Sequence, residues 1–147
     1  MNASNKLRYL TMIMASVLIL SSCSDDENAP VDPAVRAPFL GSYQVKDQNS
    51  KESQLFSFTL NVKESDKGPD KIELKNFRYI NSGLYATVSG NKFYIDQVLS
   101  DSNEHIEVKG EGTLTNDVLE YAYTIVVKKT GKETRIFENT AKATRVD

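Results

Sequence analysis

Alternation of apolar and polar positions is the strongest signal in the chain, and it is sharpest between His105 and Val127. A two-residue turn centred on Asn116-Asp117 brings Leu114 opposite Leu119, Gly112 opposite Tyr121, Gly110 opposite Tyr123, Val108 opposite Ile125 and Ile106 opposite Val127. All of these share one face, because side chains alternate with period two along a strand. The other face gathers Thr113/Glu120, Glu111/Ala122, Lys109/Thr124 and Glu107/Val126 and is mostly polar. Two glycines stand opposite two tyrosines, and a missing Cβ lets a ring lie flat across the neighbouring strand.

The same period recurs on both sides of this hairpin. Leu55 to Lys63 puts Phe56, Phe58, Leu60 and Val62 on one face and Ser57, Thr59 and Asn61 on the other. Leu84 to Gln97 folds about Gly90-Asn91, with Val88/Phe93 and Ala86/Ile95 inward and Thr87/Tyr94 and Tyr85/Asp96 outward. Leu40 to Val45 opens a strand, and Asp47 to Glu52 reads as a polar turn. Ile72 and Leu74 alternate with Glu73 and Lys75 until the phase breaks at Asn76-Phe77, where a bulge or strand end re-aims Phe77. A turn on Thr130-Gly131 sets Lys128 opposite Glu133, puts Ile136 in phase with Ile125 and leaves Phe137 outside.

No stretch of the domain carries a helical period, and the count reaches seven to nine strands in the roughly 109 residues from Phe39 onward. Short turns between neighbours make an antiparallel meander, and closing it removes its exposed edges. The expected fold is therefore all-β, a small barrel of about eight strands. A barrel of that size has room inside for side chains or one small ligand. If it holds an apolar ligand, the inward set Phe58, Leu60, Val88, Phe93, Tyr121 and Tyr123 lines the site. On the outer face Tyr85 and Tyr94 lie diagonally on one hairpin, with Tyr79 and Phe137 as candidates to join them. Tyrosines on a rigid sheet serve as anchors for glycans and protein partners, although strands favour tyrosine in any case.

Composition narrows the functional classes. Two of the 18 bases precede Cys23 and all 20 acids follow it, which leaves the part from Cys23 onward at −4. A mildly acidic domain with interspersed signs has no electrostatic footprint for nucleic acid. The lone cysteine excludes an internal disulfide.

The N-terminus supplies an address. Lys6 and Arg8 precede an apolar run from Tyr9 to Leu20, too short to cross a hydrocarbon core of about 30 Å, and a small-residue exit follows. That is the layout of a secretory signal over residues 1–22. Leu20-Ser21-Ser22-Cys23 resembles the bacterial lipoprotein lipobox, which implies that Cys23 becomes the first mature residue and carries acyl chains. The alternative is an ordinary cleaved signal followed by a free thiol. Ser24-Asp25-Asp26-Glu27 is similar to the acidic tetrad that directs Bacteroides-type lipoproteins to the outer face of the outer membrane; a solvated acidic linker is the plainer reading. Residues 24–38 hold three of the four prolines and few apolar anchors, so residues 23–38 read as a lipidated cysteine and a disordered tether, and residues 39–147 as the domain.

Phe39-Leu40-Gly41-Ser42-Tyr43, Lys71 to Phe77, Ala86 to Asn91, Gly110 to Leu114 and Tyr121 to Thr124, in that order, resemble the small lipocalin-like lipoproteins of Bacteroides-type bacteria. Tyr43 stands where lipocalins open with Gly-x-Trp, and the chain is shorter than theirs and has no counterpart of their helix. The resemblance implies a lipocalin-like barrel and a binding role without catalytic residues.

Familiar chemistry is sparse. His105 is the single histidine, and Glu104 and Glu107 flank it on opposite faces of a strand. With one imidazole and no thiol to spare, neither a nucleophile–base pair nor a zinc site assembles from the usual parts. Gly110-Glu111-Gly112 lacks the third glycine and following helix of a dinucleotide loop. Asp101-Ser102-Asn103-Glu104 is oxygen-rich but too short for an EF-hand. The expectation is a non-catalytic, cofactor-free lipoprotein held to the bilayer through Cys23. It binds a small apolar ligand or a glycan, or else serves as an interaction module for an outer-membrane protein.

Overall fold

The computed structural model describes residues 32–78, 80 and 82–146; the signal, the lipobox, the acidic tetrad and Tyr79 lie outside them. Eight strands follow in order: β1 (Gly41–Asn49), β2 (Leu55–Glu64), β3 (Lys71–Lys75), β4 (Leu84–Ser89), β5 (Lys92–Ser100), β6 (Glu104–Thr115), β7 (Val118–Lys129) and β8 (Arg135–Arg145). Each pairs antiparallel with the next, and β8 returns to β1, closing the barrel.

The β6–β7 ladder keeps the register the sequence predicts, from Leu114↔Leu119 to Ile106↔Val127. Asn116 and Asp117 both take positive φ, 47° and 62°, which suits the right-handed twist of a two-residue hairpin turn. A Cβ on Gly112 would overlap the Phe93 ring and lie 2.6 Å from the Tyr121 Cβ, and one on Gly110 would lie 2.7 Å from the Tyr123 Cβ. The glycines are what admit the rings.

Those rings fill the interior as a column. Phe39 meets Phe93 edge-on at 6.3 Å, Phe93 meets Tyr121 at 5.8 Å, and Tyr121 stacks on Tyr123 at 5.8 Å. Phe77 closes on Tyr123 at 4.8 Å and on Tyr121 at 6.1 Å. The phase break at Asn76 (φ 60°) ends β3, and Phe77 turns into the barrel from the loop that follows.

Four elements depart from the sequence-based expectation. Residues 33–38 do not belong to a disordered segment, because Pro33–Phe39 forms a 3₁₀ helix capped by Asp32. Proline suits a first helical turn, and Phe39 is buried in the barrel end. Arg36 fastens this helix by donating to the carbonyls of Ser65 at 2.9 Å and Gly68 at 3.1 Å, and Arg145 donates to those of Pro38 and Leu40. Second, β1 runs on to Asn49, so Asp47 and Asn49 continue the inward phase of Tyr43 and Val45 instead of forming a turn. Third, the β4–β5 ladder stops at Thr87↔Tyr94; beyond it the Tyr85 N–H donates to Gln97 Oε1 at 2.7 Å. Fourth, the β7–β8 register is one residue off the expected one. Phe137 lies opposite Ile125 and packs on the core, whereas Ile136 points outward. A one-residue slip moves every side chain to the other face, and the loop over residues 130–134 is longer than the tight turn expected there.

Candidate functional site

Inside the barrel, Leu60, Val88, Phe93, Tyr121 and Tyr123 are buried and Phe58 is half-buried against the core. The six residues do share the interior, but side chains from the β3–β4 loop meet them there. Phe77, Arg78 and Ile80 are all buried. Arg78 Nη1 donates to Asp47 Oδ2 at 2.5 Å, and its Cζ lies 3.8 Å from the Phe56 ring centroid. Tyr123 O–H donates to the same Asp47 oxygen at 2.7 Å, and Asn49 Nδ2 donates to Asn139 Oδ1 at 3.1 Å.

Register explains how these groups meet: Asp47 faces Ala141 and Ala141 faces Tyr121, while Asn49 faces Asn139 and Asn139 faces Tyr123. Burial first, and then Asp47, through its charge at Tyr121 and through its hydrogen bond and charge at Tyr123, push both hydroxyls far above the ordinary tyrosine range. Both stay protonated, and Tyr123 uses its proton to donate to Asp47. No residue of this polar cluster except Tyr121 and Tyr123 is among the expected site residues. The one legible signal is that Asp47 and Asn49 continue the period of Tyr43 and Val45.

The outer face has its own relief. One cross-strand row reads Tyr94, Glu111, Ala122, Thr140, Gln48 and Leu55. Its middle members are short, and the rows on either side carry long charged chains such as Lys92, Lys142 and Lys46 or Lys109 and Glu138. Two troughs of about 850 and 600 Å³ result, sharing Gln48, Glu111, Ala122 and Thr140 as common ground. Tyr94, 40% exposed, borders the larger one. It also lines, with Tyr85, a depression of about 440 Å³ that includes Lys67, Thr87, Asp96 and Gln97. The two outer tyrosines thus border one depression. Lys67 Nζ lies 5.8 Å from the Tyr85 ring centroid, and Lys71 Nζ donates to Thr87 Oγ1. Phe137, turned inward, is not part of this face.

His105 has more company than its sequence neighbours suggest. Its Nδ1 lies 2.7 Å from Ser100 Oγ, the residue opposite it in the ladder, and its Nε2 lies 3.1 Å from Glu107 Oε1. A serine, an imidazole and a carboxylate in a chain invite comparison with a hydrolytic triad. Here the chain sits on an open strand surface, outside every trough described above. Lys128 Nζ takes the same Glu107 oxygen at 2.7 Å, and the lysine and histidine bonds hold the Glu107 carboxyl below its usual range. The oxygen-rich Asp101 is used locally: its Oδ1 accepts from the N–H groups of Asn103 at 2.7 Å and Glu104 at 2.8 Å. Among the described residues no group of three or more His, Cys, Asp or Glu side chains is placed to hold a metal ion.

No protein-family model matches the chain, and no curated protein matches it. Among solved structures it is similar to a protein of unknown function from the DUF3598 family of Nostoc punctiforme PCC 73102, at 17% identity and a TM-score of 0.41. The match covers 75% of this chain and 48% of that protein, so the chain spans about half its length.

Proposed function

We propose that the chain is a non-catalytic lipoprotein, anchored through Cys23 at the outer face of the outer membrane, whose barrel presents a glycan-binding surface centred on Tyr94. The observation that carries the binding reading is the meeting of two outer depressions at that one exposed tyrosine. A sugar ring offers an apolar C–H face and a rim of hydroxyls, which call for an aromatic platform beside amide, hydroxyl and carboxylate groups. Tyr94 and Tyr85 supply the platform; Gln97, Asp96, Thr124 and Gln48 supply the polar rim. The six interior residues serve this surface as its packed support, since the ring column already occupies the space an apolar ligand needs. The anchor rests on the lipobox resemblance, and two or more acyl chains hold a protein stably where one chain is marginal.

Screening the protein against immobilised oligosaccharides, with Tyr94→Ala alongside, tests the binding reading. Retention of specific glycans by the parent and at least a tenfold weaker signal from the variant are expected; equal signals or no retention at all overturn it. Cys23→Ala is expected to leave the membrane fraction, and a variant retained and processed like the parent overturns the anchor.

A second reading, a module that docks on an outer-membrane protein, draws on a different observation. Val98 and Ile136, 55% and 50% exposed, belong to one outward row with Val126, interrupted by Glu107. Apolar rows of this kind at a protein surface suit a protein partner.

A further inference from the structure

We propose that Phe77, Arg78 and Ile80 form a displaceable plug, and that the pocket they fill inside the barrel binds a cationic ligand, an amidinium or guanidinium group on a flat apolar body. This site is separate from the outer face and does not rest on the glycan reading.

The plug's own contacts define what the pocket recognises. The Arg78 guanidinium sits between a carboxylate, Asp47, and an aromatic face, Phe56. A planar, weakly hydrated cation is the group that such a pair selects. Beside it, Phe77 packs edge-on against Tyr123 and at a tilt over Tyr121, so an apolar ring subsite adjoins the cation subsite.

The plug leaves part of this chemistry unused. Arg78 Nη1 meets Asp47 at Oδ2, whereas Asp47 Oδ1, the Tyr121 hydroxyl and Asn139 Nδ2 have no hydrogen-bond partner among the described residues. These three residues are 0, 5 and 3% exposed. Buried polar atoms without partners are costly, and native proteins keep few of them. An amidinium presents two parallel N–H groups and takes both oxygens of one carboxylate. It therefore satisfies Asp47 more fully than the plug does. The exchange also conserves charge, because the incoming cation replaces the outgoing arginine and Asp47 is never left buried alone.

The plug hangs from the least paired part of the barrel. The β2–β3 and β3–β4 ladders run over four residue pairs each and β4–β5 over three, against twelve for β6–β7. Segments with few shared contacts open at the smallest cost.

The probe is p-aminobenzamidine, an aromatic amidine whose fluorescence rises in apolar surroundings, titrated into the full-length protein in detergent micelles. A saturable rise is expected with the parent, and none with the neutral p-aminobenzamide. Phe77→Ala and Arg78→Ala, which weaken or remove the competing plug, are expected to bind at least ten times more tightly. Asp47→Asn is expected to abolish the signal. Proton contacts by NMR from the probe to the rings of Phe56, Tyr121 and Tyr123 in the parent provide a readout that needs no variant to fold. Absence of saturable binding to the parent, binding by Arg78→Ala alone, a signal unchanged in a folded Asp47→Asn, or probe contacts to Tyr94 instead of the interior rings each overturns the proposal.

Discussion

The two sides of the barrel solve the same packing problem differently. On one side β6 and β7 are 12 residues each and β8 is 11, so the strands themselves supply the whole inner wall. Glycines open that wall where rings must lie across it. On the other side β3 has five residues and β4 six, and they end before the interior is covered. The loop after β3 completes the wall with Phe77, Arg78 and Ile80. A long ladder thus enforces its own apolar pattern, whereas a short one hands part of the core to a loop, and with it a buried charge that requires Asp47 on β1. The comparison teaches that the polar centre of this barrel follows from where its short strands stop.

Breaking the buried pair is the strongest way to test that difference. Asp47→Ala leaves Arg78 without its carboxylate in the interior, and removing one partner of a buried ion pair costs roughly 3–5 kcal/mol. Replacing both, as Asp47→Leu with Arg78→Met, removes the two charges together and is expected to regain most of the loss. Urea midpoints of the single and double variants check this. A midpoint for Asp47→Ala equal to the parent's means that the loop contributes nothing to the core and that the two sides do not differ as described.

The long side is sharpened by a smaller change. Gly112→Ala places a Cβ against the Phe93 ring and 2.6 Å from the Tyr121 Cβ, so the rings must shift. Overpacking of this kind costs about 1–3 kcal/mol. Glu111→Val, one residue away on the outer face, is expected to stay within about 0.5 kcal/mol of the parent. Urea midpoints in the reverse order place Glu111 inside and Gly112 outside, a register slip of one.

How far the sequence could be read divides along the same line. The β6–β7 pairs are legible because twelve alternating positions and a two-residue turn admit one register with every apolar residue of the inner row inside. The re-aiming of Phe77 is legible from its broken phase, but Arg78 is not, since nothing in its neighbours marks a charged residue as inward. Asp47 and Asn49 keep the inward phase, yet their residue types favour a turn, and the partner that overrides this preference is 31 residues from Asp47. The exchange of Ile136 and Phe137 has a local cause. Both residues are apolar, so either satisfies the pattern, and a longer loop decides between them. Of the candidate site, the pairing of Tyr85 and Tyr94 is legible from hairpin phase; the troughs are not, because they depend on Ala122 and Thr140 lying side by side on two strands.

The smallest expected effect lies at the tip of the long side, where β5 turns into β6. Asp101 holds this loop by accepting two backbone N–H bonds, and those bonds, Asn103 first and Glu104 second, lower its carboxyl below the ordinary 3.8. A group whose folded value is lowered adds stability above its unfolded value and loses it as pH falls through the folded one. Asp101→Ala is therefore expected to lower the urea midpoint slightly at pH 7. The gap between variant and parent should begin to narrow as the pH falls below about 3.8, where the unfolded carboxyl protonates, and close as it falls through the lowered folded value. The carboxyl is fully exposed, so solvent screens it and the shift stays far below that of Asp47→Ala. Midpoints measured at steps from pH 7 to pH 3 check the sign. A gap that is constant across that range assigns the loop's stability to the aspartate's shape rather than its charge, and one that widens toward low pH contradicts the hydrogen-bonded carboxylate.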